Sequence, residues 1–183
     1  MNTLLLLKEL SENNSDINEH VTRLYELGLE SECILELGMR TGVSTRAFLL
    51  SQPKKLISVD SYPIPESVKE VSLLARNLGV EFSFLEQDSR IEIQSTWDML
   101  FIDTLHNKRQ VYEELHQHAS KTIKYIVFHD TETYGDIGER KVGRGTGIRH
   151  GMNAFLSEGD NAKHWEEIEH YTNNNGLTIW KRI

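Results

Sequence analysis

The sequence is poor in cysteine, in proline and in cations, and it has no long apolar run. A single cysteine, Cys33, in 183 residues excludes an internal disulfide framework and a cysteine-based zinc cluster. It also makes a reducing, cytoplasmic compartment the expected one. Lys and Arg number 20 against 28 Asp and Glu, a formal net charge of -8. That excludes a broad basic surface for nucleic acid and an anionic membrane surface as the main partner. The longest N-terminal apolar run, Leu4 to Leu7, is shorter than the roughly 7–15 residues of a signal-peptide core, and Lys8 and Glu9 follow at once. Nothing approaches the roughly 20 apolar residues of a membrane span. With 38% hydrophobic residues and three prolines, the chain has an ordinary globular composition and a length suited to one domain.

Short apolar runs alternate with helical patterns. The runs are Cys33 to Leu37, Leu56 to Asp60, Phe82 to Leu85, Met99 to Asp103 and Tyr125 to His129. Between them lie a stripe of Val71, Leu74, Ala75 and Leu78 closed by Gly79, and another of Val111, Leu115 and Ala119. Such alternation predicts a parallel sheet covered by helices on both faces. Upstream, Ser15 is read as an N-cap before Ile17, Val21 and Leu24, and Gly28 as the stop. Downstream, Trp165 to Thr172 and Leu177 to Ile183 flank Asn173-Asn174-Asn175-Gly176, a hairpin signal. Tyr134 to Gly151, rich in glycine and charge, reads as a long loop before a helix at Met152 to Leu156.

Ligands of open α/β sheets bind beyond the carboxyl ends of the strands. The first run leads into Glu36-Leu37-Gly38-Met39-Arg40-Thr41-Gly42-Val43-Ser44. Arg40 stands where a dinucleotide fingerprint needs its second glycine, and no Gly-Lys-Ser/Thr follows Gly38, so a pyrophosphate ligand is disfavoured. Asp60, ending the second run, suits a pair of ribose hydroxyls. Gln87, Asp88 and Ser89 offer hydrogen bonds to a base edge. Together these favour a nucleoside ligand without pyrophosphate. Asp103 and Asp130 end two runs expected on adjacent strands, a reasonable site for a hard divalent cation such as Mg²⁺.

Glu-x-Gly-x-x-x-Gly-x-Ser at Glu36 to Ser44, then Asp60, Asp88-Ser89 and Trp97 to Asp103, resemble in order the class I S-adenosylmethionine-dependent methyltransferases. Phe101 to His106 and Phe128 to Thr131 are most similar to a small-molecule O-methyltransferase group, labelled cephalosporin-hydroxylase-like and related to catechol and macrolide-sugar enzymes. The resemblance runs from about Cys33 to the C-terminus. It implies an α/β fold: a Rossmann-like three-layer αβα sandwich whose mostly parallel, seven-stranded sheet ends in an antiparallel hairpin. It divides the chain into an N-terminal helical lid, 1–30, and a methyltransferase domain, 31–183. It implies that Glu36, Gly38, Gly42 and Ser44 surround the methionine moiety of S-adenosylmethionine, Asp60 its ribose, and Asp88 and Ser89 its adenine.

The sulfonium of that cofactor suits an acidic pocket around Glu36. By the same resemblance Asp103, His129 and Asp130 hold a divalent metal. The family's pair after the fifth strand is an acid and an amide, so a histidine at 129 is a departure that brings Mn²⁺ in beside Mg²⁺. His106 stands where the catechol-type enzymes place a basic lysine, and reads either as the base that takes the acceptor proton or as a helix cap. His116 and His118, within the following helix, read as surface residues.

Gly138 to Gly151 carries Arg140, Lys141, Arg144, Arg149 and His150 with one acid, Glu139. This is either a lid for an anionic acceptor, such as a phosphorylated or nucleotide-linked sugar, or a solvated loop. Tyr134, Trp165 and Tyr171 line an acceptor pocket or pack in the core. The expected activity is methyl transfer to a hydroxyl of a small molecule, a sugar or polyol. The alternatives are a non-catalytic S-adenosylmethionine-binding module and a nicotinamide oxidoreductase, with an iron hydroxylase last. The first thirty residues read as a lid or a homodimer contact.

Overall fold

In a computed structural model of the chain, residues 2–139 and 145–183 are described. The strands are β1 (Cys33–Leu37), β2 (Lys55–Asp60), β3 (Glu81–Glu86), β4 (Trp97–Ile102), β5 (Thr122–His129), β6 (Trp165–Tyr171) and β7 (Leu177–Arg182). They form one sheet in the order β3-β2-β1-β4-β5-β7-β6. The first five are parallel, and β7 runs antiparallel between β5 and β6. The order reverses between β1 and β4, whose register pairs Leu37 with Ile102. The expected architecture is therefore present, including the closing hairpin. Asn174, Asn175 and Gly176, all at positive φ, make its turn.

Strand alternation divides the core in two. Ile34, Leu56, Met99, Phe101 and Val127 face a cluster with Leu24, Leu27, Phe48 and Val71. These come from α2 (Val21–Leu29), α3 (Val43–Leu50) and α4 (Pro65–Leu78). Leu35, Leu37, Leu100, Ile126 and Phe128 face the other way, onto Val111, Leu115, Ile148 and Met152. Those belong to α5 (Lys108–His118) and α6 (Ile148–Leu156). The N-terminal α1 (Thr3–Glu12) adds Leu7 to the first cluster. Leu24 and Leu27 are fully buried beside Phe48, so the N-terminal segment shares its core with the strands that follow. No helix among the described residues is long and apolar enough to cross a membrane.

Three local expectations need correction. Ser15 does not cap a helix. Asn18 Oδ1 accepts from the Ser15 N–H and Asn18 Nδ2 donates to the Ser11 carbonyl, which turns the chain. A single 3-10 turn, Asn18–His20, then leads into α2. The helix read as starting at Met152 starts at Ile148, which places Arg149 and His150 on it rather than in the loop. His118 is not a surface residue. It lies one heptad after Val111 on the buried stripe of α5, fully covered, with Nε2 at 2.8 Å from the Ser89 carbonyl. His116 is exposed, as expected.

Candidate functional site

Glu36 takes an inward position on β1, between α3 and the sheet, where alternation demands an apolar side chain. It is wholly buried, and its carboxylate accepts from Ser44 Oγ at 2.6 Å, Thr45 Oγ1 at 2.7 Å and Ser58 Oγ. Burial raises its pKa to about 7, against the lowering effect of the three hydroxyls. Glu36 and Ser44 therefore meet as a pair that fixes the start of α3 and the shape of the glycine loop.

Gly38, at φ 90°, is the closest approach in that loop. A Cβ there would lie 1.9 Å from the Asp103 carbonyl oxygen. Asp103 N–H donates to the Leu37 carbonyl at 2.9 Å. The loop after β1 and the turn after β4 are thus one packed unit at the point where strand order reverses, the ligand-binding position of open α/β sheets. Gly42 is left-handed ahead of α3. Arg40, also at positive φ, is ion-paired with Asp16 of the N-terminal segment.

Asp60, half-buried at the end of β2, accepts from the Met39 and Arg40 N–H groups at 3.1 and 2.9 Å through Oδ2, and from the Tyr62 N–H at 2.8 Å through Oδ1. It braces the glycine loop and keeps further acceptor capacity of the kind a diol uses. Asp88 is engaged by Arg90 at 2.5 Å, which lowers its pKa to about 2. Ser89 turns inward and donates to Glu114 at 2.5 Å. Glu114 was not singled out in the sequence. It is fully buried on α5, accepts also from Thr104 and Gln110, and burial raises its pKa to about 7. Its place on the Val111–Leu115–His118 stripe was the available signal.

Asp103, His129 and Asp130 converge, with one ligand atom from each lying within 4.8 Å of the others. The β4–β5 pairing, Ile102 opposite Phe128, brings their strand ends together. Asp130 adopts φ 60°, an uncommon conformation for a residue other than glycine, and it aims the carboxylate back into the sheet edge. His129 Nδ1 lies 3.4 Å from both Asp103 Oδ2 and Asp130 Oδ2. His129 Nδ1 and Asp130 Oδ1 are buried without a hydrogen-bond partner. Such atoms fit a cation, and the donor set of two carboxylates and an imidazole could hold a divalent metal ion.

His106 joins the same cluster, with Nε2 at 2.7 Å from Asp130 and 3.3 Å from Asp103. Burial disfavours its cation and that of His129, but the two carboxylates outweigh burial and hold both imidazoles well above their ordinary pKa. Asp103 is correspondingly held low: burial opposes its ionisation, and the His129 charge and the His106 hydrogen bond override it. Of the two sequence readings of His106, a base or a cap, the cap is not met. The cap of α5 is Asn107, whose side chain accepts from the Gln110 N–H.

Tyr134 stacks on His106, with ring centroids 4.6 Å apart and planes 8° from parallel. His20, buried and unflagged by the sequence, sets its ring edge-on to His129 at 5.9 Å. Its backbone neighbour Glu19 is tied to the β6–β7 turn through Asn173 and Asn174. Trp165 is a core residue, and Tyr171 donates to Glu169. A cavity of about 710 Å³ opens nearby, lined by Leu105, Lys108, Arg109, Tyr112 and Thr146. Of the basic loop, Arg140, Lys141 and Arg144 lie outside the described residues, and Arg149 is ion-paired with Glu132.

No protein-family model and no curated protein matches the sequence. Solved structures do match. The chain is similar to the N-methyltransferase NodS from Bradyrhizobium japonicum WM9 in complex with S-adenosyl-l-homocysteine (TM-score 0.65, 15% identity), across 100% of this chain and 99% of that one. It is similar to an O-methyltransferase from Bacillus cereus, also with S-adenosyl-l-homocysteine (TM-score 0.64, 12% identity), across 99% and 90%. A third is the O-methyltransferase TomG from Streptomyces achromogenes with S-adenosylmethionine (TM-score 0.63, 15% identity), across 90% and 80%. The strand order, the antiparallel closing hairpin and these likenesses agree: the chain has the fold of the class I S-adenosylmethionine-dependent methyltransferases.

Proposed function

We propose that the chain transfers a methyl group from S-adenosylmethionine to a hydroxyl of a small molecule, a sugar or polyol, beside a divalent cation held by Asp103, His129 and Asp130. The observation that carries this reading is the contact of Gly38 with the Asp103 backbone. It puts the loop that would enclose the methionine end against the carboxylates that would face the acceptor. When bound, the cofactor would supply an electrophilic methyl and leave as S-adenosylhomocysteine, and the cation would supply Lewis acidity that acidifies the acceptor hydroxyl, whose proton passes to solvent.

The protein's share is alignment. Glu36 fixes Ser44 and Thr45, and with them the turn Gly38 to Gly42. Asp60, at the rim of that turn, would accept from the ribose hydroxyls, with Asp88 and Ser89 on the adenine side. Asp103 and Asp130 provide negative charge where an acceptor oxygen and its cation would sit. The segment at His20, packed on His129, would wall the acceptor side, which is how the N-terminal residues would act as a lid.

Two measurements test the reading. Isothermal titration with S-adenosylmethionine should show one site, and absence of binding at millimolar ligand sinks the proposal. Mass spectrometry of sugars and nucleotide sugars incubated with labelled cofactor should show label on oxygen. Full turnover in EDTA removes the cation from the mechanism, and divalent dependence that survives Asp103→Ala and Asp130→Ala removes it from this site.

A further inference from the structure

We propose that His106 is a fourth protein ligand of the cation at Asp103, His129 and Asp130, and that this set takes a transition-metal ion such as Mn²⁺ in preference to Mg²⁺. The inference rests on the cation half of the reading above and deepens it by naming the ion class and a ligand outside the expected three.

The two imidazoles are arranged alike. His106 presents Nε2 to Asp130 Oδ2 and Asp103 Oδ1 at 2.7 and 3.3 Å, and His129 presents Nδ1 to Asp130 Oδ2 and Asp103 Oδ2, both at 3.4 Å. Four side chains from two segments, the turn after β4 and the end of β5, therefore meet around the two carboxylates. Each ring also has its other nitrogen near an outer acceptor. His106 Nδ1 faces Glu139 Oε2 at 3.4 Å, and His129 Nε2 faces the Asn174 carbonyl at 3.3 Å. A ligating histidine almost always hands its second N–H to a carboxylate or a backbone carbonyl, which fixes tautomer and ring orientation. Here His129 hydrogen-bonds the Asn174 carbonyl, and the Glu139 carboxylate stands near His106 at ion-pair distance.

The rings are also held. Tyr134 stacks flat on His106, and the Glu139 N–H donates to the His106 carbonyl at 2.9 Å, which pins the loop bearing Glu139 to the residue it faces. Turning His106 toward an acceptor as a free base would break the stack and leave Asp130 without its closest partner. His129 is 1% exposed, its Nδ1 has no hydrogen-bond partner, and that atom faces the two carboxylates. Two imidazoles also decide the ion. Mg²⁺ prefers oxygen ligands and keeps several waters, whereas imidazole suits the later first-row metals.

The test uses the full chain stripped of metal. Electron-spin-echo modulation of one equivalent of Mn²⁺ bound to the unaltered protein should show two directly coordinated imidazole nitrogens; one or none overturns the proposal. Mn²⁺ should bind at least about tenfold tighter than Mg²⁺, and His106→Gln should weaken Mn²⁺ by at least about tenfold, the lower bound for disturbing even an outer partner. Equal affinity for the two ions, or Mn²⁺ affinity untouched by His106→Gln, refutes it. If the variant fails to fold, the nitrogen count on the unaltered protein decides. Titration of the same sample with S-adenosylmethionine separates the two readings. Cofactor binding with no cation binding ends this proposal and leaves methyl transfer standing.

Discussion

Gly38→Ala is the sharpest perturbation that the fold offers. The added Cβ would lie 1.9 Å from the Asp103 carbonyl oxygen and 2.6 Å from its carbon, whereas real Cβ contacts do not fall below 3.0 Å. The two backbones must therefore part by about 1 Å. Two hydrogen bonds straddle the contact, Gly38 N–H to Val59 at 2.8 Å and Asp103 N–H to Leu37 at 2.9 Å. A shift of that size takes one or both out of range, at about 1–1.5 kcal/mol each. The left-handed backbone costs alanine about 1–2 kcal/mol more. The sum, about 2–5 kcal/mol, is a large part of the roughly 5–15 kcal/mol that holds such a domain. With a urea slope of about 2 kcal/mol/M, the unfolding midpoint should fall by about 1–2.5 M. Gly159→Ala is the control, because Gly159 is also left-handed, at φ 53°, and nothing lies within 4 Å of its added Cβ. It should lose only the conformational part, about 1–2 kcal/mol. Gly38→Ala should also weaken S-adenosylmethionine, since Asp103 and the loop move together. Equal losses in the two variants would refute the close approach as the reason for this glycine.

Three further outcomes follow from the same geometry. Glu114→Gln should flatten the pH dependence of stability. A carboxyl raised from 4.5 to about 7 by burial contributes stability that is full below pH 4.5 and lost as pH rises through 7. Unfolding free energies of wild type and variant should diverge across that window by up to about 3 kcal/mol, and parallel curves would contradict the assignment. Asp60→Asn should raise the Kd for S-adenosylmethionine by about tenfold or more, as loss of a charged acceptor to a hydroxyl does; an unchanged Kd removes Asp60 from the ribose. Arg40→Ala should shift stability by less than about 1 kcal/mol, because its ion pair with Asp16 is largely solvent-exposed. A loss beyond 2 kcal/mol would mean that Arg40 braces the glycine loop in its own right.

What was readable in the sequence was whatever short-range pattern determines. The strands appear as apolar runs because a parallel sheet is buried on both faces, and Asp103 and Asp130 could be placed together because they end neighbouring runs. Glu36 was readable as an acid near the end of the first strand but not as a buried hub. Its three hydroxyl partners come from α3 and β2, and only the register that sets Glu36 beside Ser58 brings them in. His118 was misread although its period was in view, since position 118 continues the stripe begun at Val111. Polarity and spacing point opposite ways there, as they do at Glu114 on the same buried face.

His106 marks the other limit. Its number in the chain, three after Asp103, is compatible with a base, a cap or a ligand, and residue type does not choose among them. The choice is made by Tyr134 and Glu139, which lie on an irregular segment beyond β5 with no periodicity to read. Asp130 at positive φ starts that segment, so one unusual backbone conformation both aims a carboxylate into the cluster and directs the following chain across His106. The proposed ligand set and its outer partners are thereby coupled. A change that relaxes Asp130, such as Asp130→Gly, should disturb the Tyr134–His106 stack as well as the carboxylate. Fluorescence or NMR of Tyr134 would report this in the absence of any metal, and an unmoved Tyr134 would mean that the two features are independent.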